Sequence, residues 1–240
     1  MSRNLIRAYV KEVLRETRED VADSNDPLDW IQDAYNDPKG WETDDPYRAM
    51  VRAAKDRNLE EVGIGSSRFT FGLGSERVVK IARNQKGIEQ NKLEAPAGKD
   101  PYVHSILASV YDWSGDYAWI VAERLDPLED GDFKVAESAS GVPWADVREI
   151  LGLSDKSEYK ATAEEITNKL GLKSEKAVKS APGCPKGRDF LELLIGFLER
   201  YRDMLPGDIV KLSSWGINKK GCLVLLDYGI TKKKFKELYK

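Results

Sequence analysis

The chain has 240 residues, enough for one large domain or two smaller units sharing a cleft. Hydrophobic residues make up 41% and charged residues 33%, a balance that buries a core beneath a heavily charged surface. A net charge of −3 argues against bulk attraction to nucleic acid or an anionic membrane, and the one basic run, Lys232 to Lys240, reads as a solvated helix end.

Leu5, Ile6, Tyr9, Val10, Val13 and Leu14 fall on one helical face, so residues 4–18 form an amphipathic helix, able to pack on its own domain or dock a protein partner. The start is too charged for a secretory signal core. Residues 19–47 carry eight aspartates and three prolines, which reads as acidic linker or short helices, with Trp30, Tyr35 and Trp41 packing onto the domain. From 60 to 82, glycine breaks between β-branched runs predict hairpins. A helix follows at 85–98, then strands at 106–112 and 117–123 around the turn Ser114-Gly115-Asp116. Residues 126–186 are mixed, with helices at about 143–151, 160–170 and 174–179. Phe190, Leu193, Leu194, Phe197, Leu198 and Tyr201 define a strong helix over 188–204, and Leu223–Leu226 a buried strand. Cys184 and Cys222 stand remote from each other, outside any metal-ligand spacing, and with His104 the only histidine a zinc site is excluded. Two free thiols and no run near the about 18 apolar residues that span a bilayer point to a cytoplasmic protein.

Five segments carry chemistry. Gly63-Ile64-Gly65-Ser66 lies between apolar stretches, where glycines let backbone amides approach a phosphate, although a plain hairpin uses them too. Lys80 sits inside the apolar strand Val78-Val79-Lys80-Ile81-Ala82, and its ammonium must find a partner or reach water. The helix after it offers Glu94 as that partner, on the face of Ile88 and Asn91, with Glu89 as the alternative. Glu123 ends an apolar strand, and Asp227 stands at the mouth of Leu223–Leu226, followed by Tyr228 and Gly229.

Glycine hairpin, lysine strand, helix with an inward glutamate, and Asp-Tyr-Gly after a hairpin: this order resembles the protein kinases over about residues 60–230. The runs Val78–Ala82, Gly87-Ile88-x-Gln90-Asn91-x-x-Glu94 and Trp215-Gly216…Leu225-Leu226-Asp227-Tyr228-Gly229 are more specifically similar to small kinase-like proteins of tailed bacteriophages. The resemblance implies an α+β, two-lobed fold: a helix and acidic linker over 1–58, an antiparallel N-lobe over 59–125 and a reduced helical C-lobe over 126–240. It implies ATP held by Gly63, Gly65, Ser66, Lys80, Glu94 and the Glu123 hinge, with magnesium on Asp227.

Counting back thirteen from Asp227, where active kinases carry a metal-binding asparagine, gives Ser214. Counting back eighteen, where they carry the catalytic aspartate, gives Ile209, with Asp208 one residue off and no His-Arg pair before it. Asp208 is then either a displaced base or a helix cap. The chain stops eleven residues after Gly229, which leaves no room for a peptide-substrate platform. A degenerate kinase or pseudokinase acting as an interaction module is therefore expected. The alternatives are an active ATP-dependent transferase on a small molecule or itself, and a non-catalytic phage assembly protein.

Overall fold

The computed structural model describes residues 28–41, 43, 45–152, 164–165, 168–169, 171, 183–201, 209–227 and 237. The expected helix over 4–18, with its partner role, lies outside them, as do Asp208, Tyr228, Gly229, the expected helix at 174–179 and most of that at 160–170.

The chain is α+β, built on one five-stranded antiparallel sheet and several helices. The strands β1 (Glu61–Ile64), β2 (Arg68–Leu73), β3 (Arg77–Ala82), β4 (Val110–Trp113) and β5 (Trp119–Glu123) lie in the order β1-β2-β3-β5-β4. In β3 the side chains alternate between two different environments, as a pleated strand requires. Val79 and Ile81 join Phe71, Trp119 and Val121 on one face, while Val78 joins Ile120, Ala122 and Ala95 on the other.

Two helices cover the first face, which selects the short-helix alternative for the acidic stretch and carries it on to residue 56. Helix α1 (Asp29–Asn36) buries Trp30, Ile31 and Ala34, and α2 (Pro46–Asp56) buries Ala49, Met50, Ala53 and Ala54. Both belong to the same apolar cluster as the sheet. The Asp45-Pro46 step is a helix start: the Asp45 carboxylate accepts from the backbone N–H of Tyr47 at 2.9 Å and of Arg48 at 3.4 Å, and Pro46 opens the first turn. The Tyr35 hydroxyl bonds Asp116, a hydrogen bond that outranks burial in pushing the phenol's pKa up and that ties α1 to the β4–β5 turn.

Helix α3 (Gln85–Ala97) lies on the opposite face, capped by Asn84, whose side chain accepts from Lys86 N at 3.0 Å and Gly87 N at 3.3 Å. After β5 the chain runs extended through Arg124 to Leu128 and enters a second core. Helices α4 (Phe133–Ser140), α5 (Trp144–Gly152) and α6 (Arg188–Arg200) bury Val147, Ile150, Phe190, Leu194 and Phe197 around Trp215. Trp144 meets Trp215 edge-on at 5.8 Å, and the Trp215 indole donates to Ile209 O at 2.8 Å.

Trp215 opens the hairpin of β6 (Trp215–Ile217) and β7 (Leu223–Leu225), whose apolar residues belong to this second core. Leu128 N donates to Trp215 O, and Ala108 N to Leu225 O. The hairpin turn closes at Gly221, where φ is +80° and a side chain would be strained. Beside that turn, Cys222 is bonded to Cys184 in a disulfide, so the expected pair of free thiols is corrected, and with it the inference to a reducing compartment. Among the described residues no helix is long and apolar enough to cross a membrane.

Candidate functional site

A cavity of about 310 Å³ opens where the sheet, the segment after β5 and the end of β7 meet. Its walls bring together Gly63, Gly65, Lys80, Glu123 and Asp227, residues that are remote along the chain. Val62, Val78, Ala108, Leu125 and Leu226 give it an apolar side, and Arg68 and Lys80 a cationic one.

Lys80 reaches this wall because β3 pairs it opposite Thr70 and Ile120, on the face toward α3. Its Nζ lies 2.7 Å from Glu94 Oε2 and donates to Leu226 O, also at 2.7 Å. Glu94 is 1% exposed, one turn beyond the buried Gln90 and Asn91. The other candidate, Glu89, accepts instead from Gln85 at the surface.

The principal residue missed by sequence reasoning is Arg68. Its guanidinium is 6% exposed and makes ion pairs with Glu94 Oε1 at 2.7 Å and Asp227 Oδ1 at 3.0 Å. It also donates to Asn91 Oδ1 at 3.2 Å, and Asn91 in turn donates to Tyr117 O at 2.9 Å. Burial pulls the guanidinium pKa down, but the two carboxylates outweigh it and hold the pKa above the usual arginine value. The signal for Arg68 was strand alternation: paired with Ala82, it shares a face with the Thr70–Lys80 pair.

Neither Gly63 in β1 nor Gly65 just after it is demanded by backbone conformation or by packing. A side chain at Gly63 would meet nothing within 4 Å, one at Gly65 would make only ordinary contact with Arg68 O, and neither residue has a positive φ. The fold itself does not need glycine at either place. Ser66 is exposed and off the cavity wall; its carbonyl accepts from Asn84 at 3.4 Å, and Arg83 ties Gly65 O at 2.8 Å.

At the end of β5, Glu123 Oε2 accepts from Ser109 N at 3.2 Å, and Arg124 N donates to Glu76 O at 2.8 Å. Leu125, the next residue along the wall, gives its N–H to no backbone carbonyl among the described residues.

The residues expected to hold magnesium do not fit that ion. One carboxylate, Asp227, faces the cavity mouth, and it already carries the Arg68 guanidinium. Ser214 is buried in a 3-10 turn, Leu212–Ser214, and accepts Leu226 N on its carbonyl, while Ser213 lines the cavity in its stead. Magnesium in a nucleotide site is held by one or two carboxylates together with phosphate oxygens and waters, and here the carboxylate expected to take it has an oxygen in an ion pair with Arg68.

Compared with protein-family models and with curated proteins, the chain matches none.

Proposed function

We propose that the chain is a kinase-like, nucleotide-binding protein of the pseudokinase type, acting as an interaction or regulatory module. The observation that carries this reading is the Lys80–Glu94 ion pair, buried at 2.7 Å in the wall of a cavity that also holds Gly63, Gly65, the Glu123–Pro127 segment and Asp227. Supporting it is the element order: a sheet β1-β2-β3-β5-β4, a helix between β3 and β4 that supplies the glutamate, and a hairpin that ends on Asp227. An apolar slot beside the Leu125 N–H suits the face and edge of a purine base, and the cations lie where its phosphates would run. Glycines that the fold does not require suit a ligand lying close against β1. The phage-like runs read from the sequence belong to the same proposal.

The assignment to a pseudokinase follows from the Asp227–Arg68 pair, which occupies the carboxylate that phosphoryl transfer would use for metal. The test is thermal unfolding with ATP, in magnesium and in EDTA. ATP at a hundred times its dissociation constant stabilises by about 2.7 kcal/mol. Wild type shifts and Lys80→Ala does not. No shift of wild type in either buffer overturns the nucleotide reading. Label transferred from γ-labelled ATP to wild type, and not to Asp227→Ala, overturns the pseudokinase assignment.

A further inference from the structure

We infer that this site takes its nucleotide without a divalent cation, because Arg68 stands as a fixed positive charge where a metal would otherwise be held. The inference rests on the nucleotide reading above and adds to it the form of the ligand: the metal-free polyphosphate.

Three observations carry it. Arg68 lines the cavity and pairs with Asp227 at 3.0 Å, so the carboxylate that faces the phosphate end is neutralised from within the chain. The guanidinium cannot swing away without breaking its 2.7 Å contact to Glu94 and its bond to Asn91, which is itself anchored to Tyr117 O. Arginine stays charged at every ordinary pH and presents a planar fork of donors matched to phosphate oxygens. A metal seated on Asp227 would find one of the two carboxylate oxygens already held by that buried guanidinium, and a fixed cation beside it repelling the ion. With Lys80 beside it, Arg68 gives the cavity two fixed cations.

The experiment is titration calorimetry of the full chain with ATP, once in EDTA and once in excess magnesium chloride. The expected result is an affinity in EDTA equal to or tighter than that in magnesium. In Arg68→Gln, EDTA binding falls about tenfold or more, the scale of one lost charge-assisted contact, and magnesium restores part of it because Asp227 is released. Asp227→Asn decides the matter if Arg68→Gln does not fold. Removing a carboxylate that faces phosphate, and releasing a guanidinium donor, tightens ATP by roughly three- to tenfold in both buffers. Loss of wild-type binding in EDTA with binding kept in magnesium, or weaker binding by Asp227→Asn in magnesium, overturns the metal-free inference and leaves the nucleotide reading standing. No binding by wild type in either buffer removes both.

Discussion

Glu94 is the residue on which the buried charges depend. It is 1% exposed and serves two cations at once, Lys80 on one oxygen and Arg68 on the other. The two ends of the network are therefore unequal. Substituting Lys80 leaves Glu94 still paired with Arg68, whereas substituting Glu94 leaves Lys80 with the Leu226 carbonyl and Arg68 with one half-exposed carboxylate, Asp227. Breaking a buried pair by removing one partner costs about 3–5 kcal/mol, mostly through the charge left behind. Glu94→Gln is expected to lose stability on that scale, and Lys80→Met distinctly less, both read from urea unfolding at neutral pH. Equal losses in the two variants would mean that Arg68 does not share Glu94 in solution. The Glu94 role was legible from helical spacing together with the kinase-like order of segments, with Glu89 left as the alternative. That of Arg68 was not, because a strand arginine ordinarily sends its head to water, and only the register with β3 shows that this one faces inward.

At the scale of elements, local pattern and tertiary contact divided the information. The three hairpin strands, the helix after them and the helix from residue 188 announce themselves through period and glycine breaks, and the structure has all of them. Helices α1 and α2 were left undecided by composition: aspartates and prolines allow linker or short helices until the Asp45 cap and the stripe of Ala49, Met50, Ala53 and Ala54 are seen against the sheet. Helix α4 was missed for a similar reason, since its buried positions are Ala136, Ala139 and Ser140, too small to announce an apolar face. The placement of α3 depends on one glycine. A Cβ at Gly87 would lie 2.3 Å from Ser67 O and 2.9 Å from Ala82 Cα, both backbone atoms that cannot turn aside. Gly87→Ala must therefore lift the N-terminus of α3 from the sheet, at a cost of about 1–3 kcal/mol by analogy with overpacked cores. Because the same helix carries Glu94, the proposed ATP binding is expected to weaken in the variant and its melting temperature to fall. A variant that melts earlier yet binds ATP as wild type does would show that the position of α3 is not what sets the site.

Across the whole molecule, the β6–β7 hairpin joins the helical core to the polar cluster beside the sheet. Its first residue, Trp215, is the centre of the helical core, and its last leads through Leu226 to Asp227 beside the sheet. Such a short hairpin is weak on its own and draws its order from what it touches. The disulfide ties its turn, at Cys222, to Cys184 just ahead of α6, across a sequence separation of 38. Closing a loop of that length removes denatured-state entropy worth about 4 kcal/mol in the chain-entropy treatment, with native strain able to reduce it. Oxidised protein is thus expected to unfold at distinctly higher urea than protein in excess dithiothreitol, and Cys184→Ser to match the reduced form. The tether also lies at the turn end of the hairpin, opposite the end that leads to Asp227, so the proposed nucleotide binding should weaken less on reduction than overall stability does. Identical urea midpoints with and without reductant, in protein whose thiol content confirms the bond was present and then broken, would show that the hairpin is held by its packing against Trp144 and Phe190 rather than by the cross-link.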